Sequence, residues 1–144
     1  MGDEKRIQWH PAFDAAMQIE LEEEAGNLIF EPEYLLSKKP LQMDILIIKK
    51  NRNIAIKKNI GQIFRRYNVI EYKSPDDNLS VDDFYKVYGY ICFYKSDAIH
   101  INERPADELT ITFACYHYPV EMLKKLEKER GITAKKVYDG IYYL

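Results

Sequence analysis

Two stretches decide the fold: Leu41-Gln42-Met43-Asp44-Ile45-Leu46-Ile47-Ile48 and Asn68-Val69-Ile70-Glu71-Tyr72-Lys73. The first is apolar and rich in β-formers, and the second runs until Ser74-Pro75 stops it, so both read as strands. Asp44 interrupts the first. An ionised carboxylate inside an apolar strand is costly unless it is paired or holds a cation. Glu71 and Lys73 stand two apart in the second, so they project from one face while Ile70 and Tyr72 project from the other.

Working outward, Pro11 suits the first turn of a helix running to about Glu24 and closed by Gly26-Asn27. Its apolar stripe is Phe13, Ala16, Met17 and Leu21, with Glu20 and Glu24 on or beside it. Leu28 to Tyr34 reads as a short strand, and Ile60 to Tyr67 as a short helix or a further strand. Ser80-Val-Asp-Asp83 resembles a capping box, with Asp in place of the usual Glu, opening a helix through about Tyr94. Leu109 to Tyr116 alternates like a strand. Pro119 to Arg130 is a helix stopped by Gly131, and Val137 to Leu144 a last strand. The order αβββαβαβ predicts one α/β domain over residues 1–144, its helices packed on a sheet.

Composition narrows the class. A 47% hydrophobic and 31% charged chain is that of a globular protein. No apolar run reaches the ~20 residues that span a bilayer. The charged start Met-Gly-Asp-Glu-Lys-Arg leads into no hydrophobic stretch, so a cytoplasmic protein with no membrane partner is expected. Cys92 and Cys115 lie far apart, and His10, His100 and His117 are isolated, which disfavours zinc. The net charge of −2 announces no polyanion partner, but its distribution is uneven. Seven acidic and no basic residues lie between Asp14 and Glu33; seven basic and no acidic ones lie between Lys49 and Arg66. Such polarity is either a pair of solvated faces or an acidic metal site beside a phosphate-binding surface.

If the two deciding strands are neighbours, Asp44 and Glu71 converge on one hard cation with Lys73 beside them. Magnesium takes oxygen ligands and keeps waters in its remaining positions. Such a site suits phosphodiester hydrolysis, in which a metal activates water and an ammonium stabilises developing charge. The bland alternative stays open: Glu-x-Lys is common on strands, and an Asp near a strand end is often a turn former.

Taken together, LQMDILIIKK and NVIEYKSPDD resemble the PD-(D/E)xK nuclease superfamily. The wider pattern WHPAF…IELEEE…DILIIKK…IEYKSPDD…DDFYKVYGY…ELTITF…GIYYL is similar to a bacterial group related to the recombination-promoting nuclease/transposase-like (Rpn) proteins. The resemblance implies a restriction-endonuclease-like core, a central mixed β-sheet flanked by α-helices. It implies a magnesium-dependent nuclease, with manganese as a possible substitute, acting on nucleic acid and on DNA in the first place. By position, Asp44 matches the first metal-binding aspartate, Glu71 the second acidic ligand and Lys73 the catalytic lysine. Many members add a glutamate from the first helix, and Glu20 is the better candidate for it because it shares the core-facing stripe, with Glu24 behind it. Met43 stands where the motif's proline would be, with Pro40 further upstream, and the Asp44–Glu71 separation is long. A nuclease-fold module that binds nucleic acid or protein without cutting is the alternative, and a homodimer would suit a chain that must embrace a duplex.

Within this reading Lys49, Lys50, Arg52, Lys57, Lys58, Arg65 and Arg66 are the candidates for phosphate contacts. These give affinity with strong salt dependence and little sequence readout. Reversing Lys57 and Lys58 to Glu is expected to weaken DNA binding and to flatten its salt dependence by roughly one unit of slope per lost contact. Binding isotherms at several salt concentrations check this, and unchanged affinity rules the segment out.

Overall fold

The computed structural model describes residues 9–32, 45–51 and 53–144. Asp44 and Arg52 lie outside the described residues, as do Leu41 to Met43 of the first deciding stretch. The elements are α1 (Trp9–Glu20), β1 (Leu28–Glu31), β2 (Ile45–Lys50), β3 (Tyr67–Tyr72), α2 (Val81–Ser96), β4 (Leu109–Ala114), α3 (Val120–Arg130), β5 (Lys135–Tyr138) and β6 (Ile141–Tyr143). The first four strands form one sheet in the order β1-β2-β3-β4, and β5 and β6 form a separate hairpin. The β1–β2 and β2–β3 pairs are antiparallel, whereas β3 and β4 are parallel. A parallel pair needs a crossover, and α2 supplies it. The fold is therefore α/β, as its element order led one to expect, with a four-stranded mixed sheet.

Alternation along the strands divides the apolar residues between two faces. Ile45, Ile47, Tyr67 and Val69 pack with Val87, Tyr90, Ile91 and Tyr94 of α2. Leu46, Ile48 and Ile70 pack on the other face with Met17 and Leu21 at α1, and with Ile56 and Phe64 from the β2–β3 connection. A third cluster joins α2 to α3 through Phe84, Met122 and Leu126. Ile45 to Ile48 are thus buried on both faces of the sheet, which is why they read as an apolar run.

Local chemistry explains the ends of several elements. α1 stops at Glu20 rather than Glu24, and a 3-10 segment, Glu22–Asn27, follows. Leu21 and Leu28 are buried in the same cluster, and the tighter helix turns the chain between them. The Ile60–Tyr67 stretch holds only a 3-10 turn, Asn59–Gly61, before β3 begins. A Cβ on Gly61 would meet Ile56 Cγ2 at 2.6 Å and Leu21 Cδ2 at 3.3 Å, so close packing demands glycine there. The expected single strand Val137–Leu144 is a hairpin instead, turning at Asp139-Gly140 with Gly140 at φ 73°. Asp-Gly favours this kind of turn. Tyr88 stays 41% exposed and stacks on Phe84, while Tyr90 and Tyr94 take the buried stripe of α2. No helix among the described residues is long and apolar enough to cross a membrane.

Asn68 is fully buried in the middle of this sheet. Its amide donates to the carbonyls of Ile48 (2.9 Å) and Arg65 (2.8 Å). Its oxygen accepts from the Arg65 N–H (2.9 Å) and the Thr110 hydroxyl (2.6 Å). One side chain thereby ties β2, the turn before β3, and β4. Asn68→Leu keeps the volume but strands these partners, and is expected to lower the unfolding free energy by about 3 kcal/mol or more. Urea unfolding measures it, and a loss below ~1 kcal/mol would show that the network is dispensable.

Candidate functional site

The register of β2 and β3 pairs Ile45 with Glu71, Leu46 with Ile70 and Ile47 with Val69. Ile45 is the covalent neighbour of Asp44, so the chain enters β2 beside Glu71; Asp44 itself lies outside the described residues. Across the sheet Glu71 is opposite Phe113 of β4. The pairing continues past the strand end, where the Lys73 N–H donates to the Ala114 carbonyl at 2.9 Å. Glu71 and Lys73 therefore share a face, as their spacing predicts, and that face is covered by α2.

Two residues of α2 meet them. Lys73 Nζ lies 3.0 Å from Asp83 Oδ1, with each side chain only 18% exposed, and 3.6 Å from Asp77 Oδ2, whose side chain is largely exposed. Asp83 also opens the helix. Its Oδ2 accepts from the Ser80 N–H (2.8 Å) and the Ser80 hydroxyl (2.9 Å), while Ser80 Oγ accepts from the Asp83 N–H (3.1 Å). The capping box expected from sequence is present, and one of its carboxylate oxygens serves a second purpose. Tyr90, two helical turns further on the same stripe, stands close enough to Glu71 for the carboxylate's charge to act on its phenol.

Electrostatics follows from this geometry. Burial alone would lower the Lys73 ammonium, but the hydrogen bond and charge of Asp83, then the charges of Asp77 and Glu71, outweigh it and raise it above its ordinary 10.5. Burial alone would raise the Asp83 carboxyl; the Ser80 N–H, the Lys73 ammonium and the Ser80 hydroxyl outweigh it and hold it below 3.8. Burial, then the charge of Glu71, raises the Tyr90 phenol. At neutral pH the cluster is a fixed cation facing carboxylates, with a protonated phenol beside it.

Glu20 is exposed at the end of α1, and α1 packs on the sheet face opposite to Glu71. The structure does not bring the two together. Among the described residues no group of three or more His, Cys, Asp or Glu is arranged to hold a metal ion. Lys49 pairs with Glu31 at 2.7 Å. Lys50 donates to the carbonyls of Ile54 (2.9 Å) and Phe64 (3.0 Å), tying down the connection it begins. Lys57, Lys58, Arg65 and Arg66 are exposed. Arg65 and Arg66 precede β3, while Glu71 lies near its other end, about 16 Å from Arg66 at the usual strand rise. Asp83 and Tyr90 were missed in sequence as site residues. The signal that points to them is helical spacing, since Asp83, Val87, Tyr90 and Tyr94 fall on one stripe of α2. The chain matches no protein-family model, no curated protein and no solved structure.

The Asp83–Lys73 pair carries a pH signature. A lowered carboxyl contributes stability above its unfolded value and loses it as pH falls through its folded one; a raised ammonium contributes below 10.5 and loses it as pH rises further. Asp83→Asn, which keeps a capping acceptor, is expected to lower stability by about 1–2 kcal/mol at neutral pH. The gap to wild type should shrink below about pH 4 and above about pH 10.5. Urea titrations at a series of pH values check this, and a pH-independent gap removes the ion pair as its cause.

Proposed function

We propose that the chain is a divalent-metal-dependent phosphodiester hydrolase acting on nucleic acid, DNA in the first place, built on a restriction-endonuclease-like core. The observation that carries the reading is the β2–β3 register, which sets Ile45 opposite Glu71 and leaves Lys73 on Glu71's face. The element order α1-β1-β2-β3-α2-β4 and the mixed sheet β1-β2-β3-β4 support it as well. The donor set fits magnesium or manganese, because these ions need only one or two protein carboxylates beside water and substrate oxygens. Asp44 and Glu71 would hold the ion, and Glu20 is not required. Bound there, a divalent cation supplies Lewis-acid activation of water and neutralises phosphate charge.

The chain's own part is charge placement. Lys73 stays protonated, so it acts as a cation toward a phosphoryl oxygen or an oriented water, not as a base. Asp83 keeps that ammonium on the site's face. The exposed Arg65 and Arg66 stand at the start of β3, away from Glu71, where they suit phosphates some distance from the scissile one, and Lys57 and Lys58 add exposed charge in the connection before them. A second reading, a module on the same fold that binds without cutting, draws on one observation: Lys73 is already engaged by two carboxylates.

The test is cleavage of circular, linear and branched DNA, and of RNA, with magnesium or manganese. Asp44→Ala, Glu71→Ala and Lys73→Met are each expected to lower kcat by about a hundredfold or more. Activity that survives Asp44→Ala refutes the site, and a folded wild type that binds DNA but cuts nothing favours the second reading.

A further inference from the structure

We infer that Asp83 is the positioning residue for Lys73, its carboxylate pinned on one oxygen by the start of α2 and holding the lysine ammonium on Glu71's face with the other. The inference rests on the nuclease reading and adds to it a residue outside the D…ExK pattern.

Capping alone does not account for the geometry. The cap is satisfied by Asp83 Oδ2, which receives both Ser80 donors, and by Ser80 Oγ, which receives the Asp83 N–H. Oδ1 is left over, and it lies 3.0 Å from Lys73 Nζ. A lysine has four rotatable bonds and a strongly hydrated head, so it does not keep one geometry without a fixed partner. Asp77 cannot be that partner, since it is 62% exposed and stands at 3.6 Å. Asp83 can, because its own rotamer is fixed by the backbone N–H of Ser80 and by a helix whose buried stripe is locked into the sheet. An ammonium has three donors. One goes to Asp83, and Asp77 stands at ion-pair rather than hydrogen-bond distance, so donor capacity remains for a substrate oxygen. The arrangement places a cation beside Glu71 before substrate arrives, so the reaction step needs no further ordering of that side chain.

A double-mutant cycle on the full chain separates positioning from capping. The four proteins are wild type, Asp83→Asn, Lys73→Met and the double variant. With magnesium and DNA, Asp83→Asn is expected to lower kcat about tenfold or more while KM changes less than about twofold. On the Lys73→Met background it should cost no further kcat beyond about twofold. Thermal unfolding of the same proteins without metal gives a readout independent of activity. Asp83→Asn should lower Tm by several degrees in wild type and by much less when Lys73 is already gone. Equal Tm shifts on both backgrounds, additive losses of kcat, or an effect confined to KM would overturn the inference. A wild type that cuts no nucleic acid overturns the nuclease reading instead, and the unfolding cycle then decides alone whether Asp83 holds Lys73. Should Asp83→Asn fail to fold, Asp83→Ser, a short capping residue, completes the same cycle.

Discussion

The buried amide of Asn68 fixes the register on which everything else depends. It bonds to the Ile48 carbonyl on β2, to both backbone groups of Arg65 before β3, and to Thr110 on β4. A slip of one residue between paired strands sends every side chain to the opposite face. Here it would turn Glu71 and Lys73 toward α1 and bury Ile70 under α2. A polar residue at the centre of an apolar sheet is tolerated because all of its partners are met, and in that state it specifies one pairing over its neighbours.

A second constraint couples the helix to the strand end. α2 begins where the Ser80–Asp83 box satisfies its first N–H groups, and the same carboxylate meets Lys73 just beyond β3. Helix start and strand end are thereby held by one side chain. The buried stripe of Phe84, Val87, Tyr90, Ile91 and Tyr94 fixes the helix rotation that makes this possible, and it also lays Tyr90 beside Glu71. The electrostatic environment of the site is set by hydrophobic packing several residues away.

Charge is segregated along the sheet. One end of β3 carries Glu71, Lys73 and the carboxylates of Asp77 and Asp83; the other end receives the connection with Lys57, Lys58, Arg65 and Arg66. Two lysines of the basic run, Lys49 and Lys50, have structural partners within the chain. The run is therefore less uniform as a surface than as a sequence. Arg65 and Arg66 stand about 16 Å or more from Glu71 at the usual strand rise, a distance suited to backbone phosphates away from the reacting one.

Much was legible in the residues themselves. The apolar runs and Ser74-Pro75 marked β2 and β3, the two-residue spacing put Glu71 and Lys73 on one face, and Ser80-Val-Asp-Asp83 marked the start of α2. These are local signals, carried by side-chain periodicity and by backbone groups a few residues apart, so sequence alone determines them. It could not determine which face of the sheet α1 covers, and so it did not show that Met17 and Leu21 pack on the face away from α2. Nor could it show that Asp83 holds Lys73, or that Lys49 and Lys50 turn to Glu31 and to backbone carbonyls. Those are contacts between elements, or pairings whose rival conformations differ little in local energy, and burial of the whole chain decides between them.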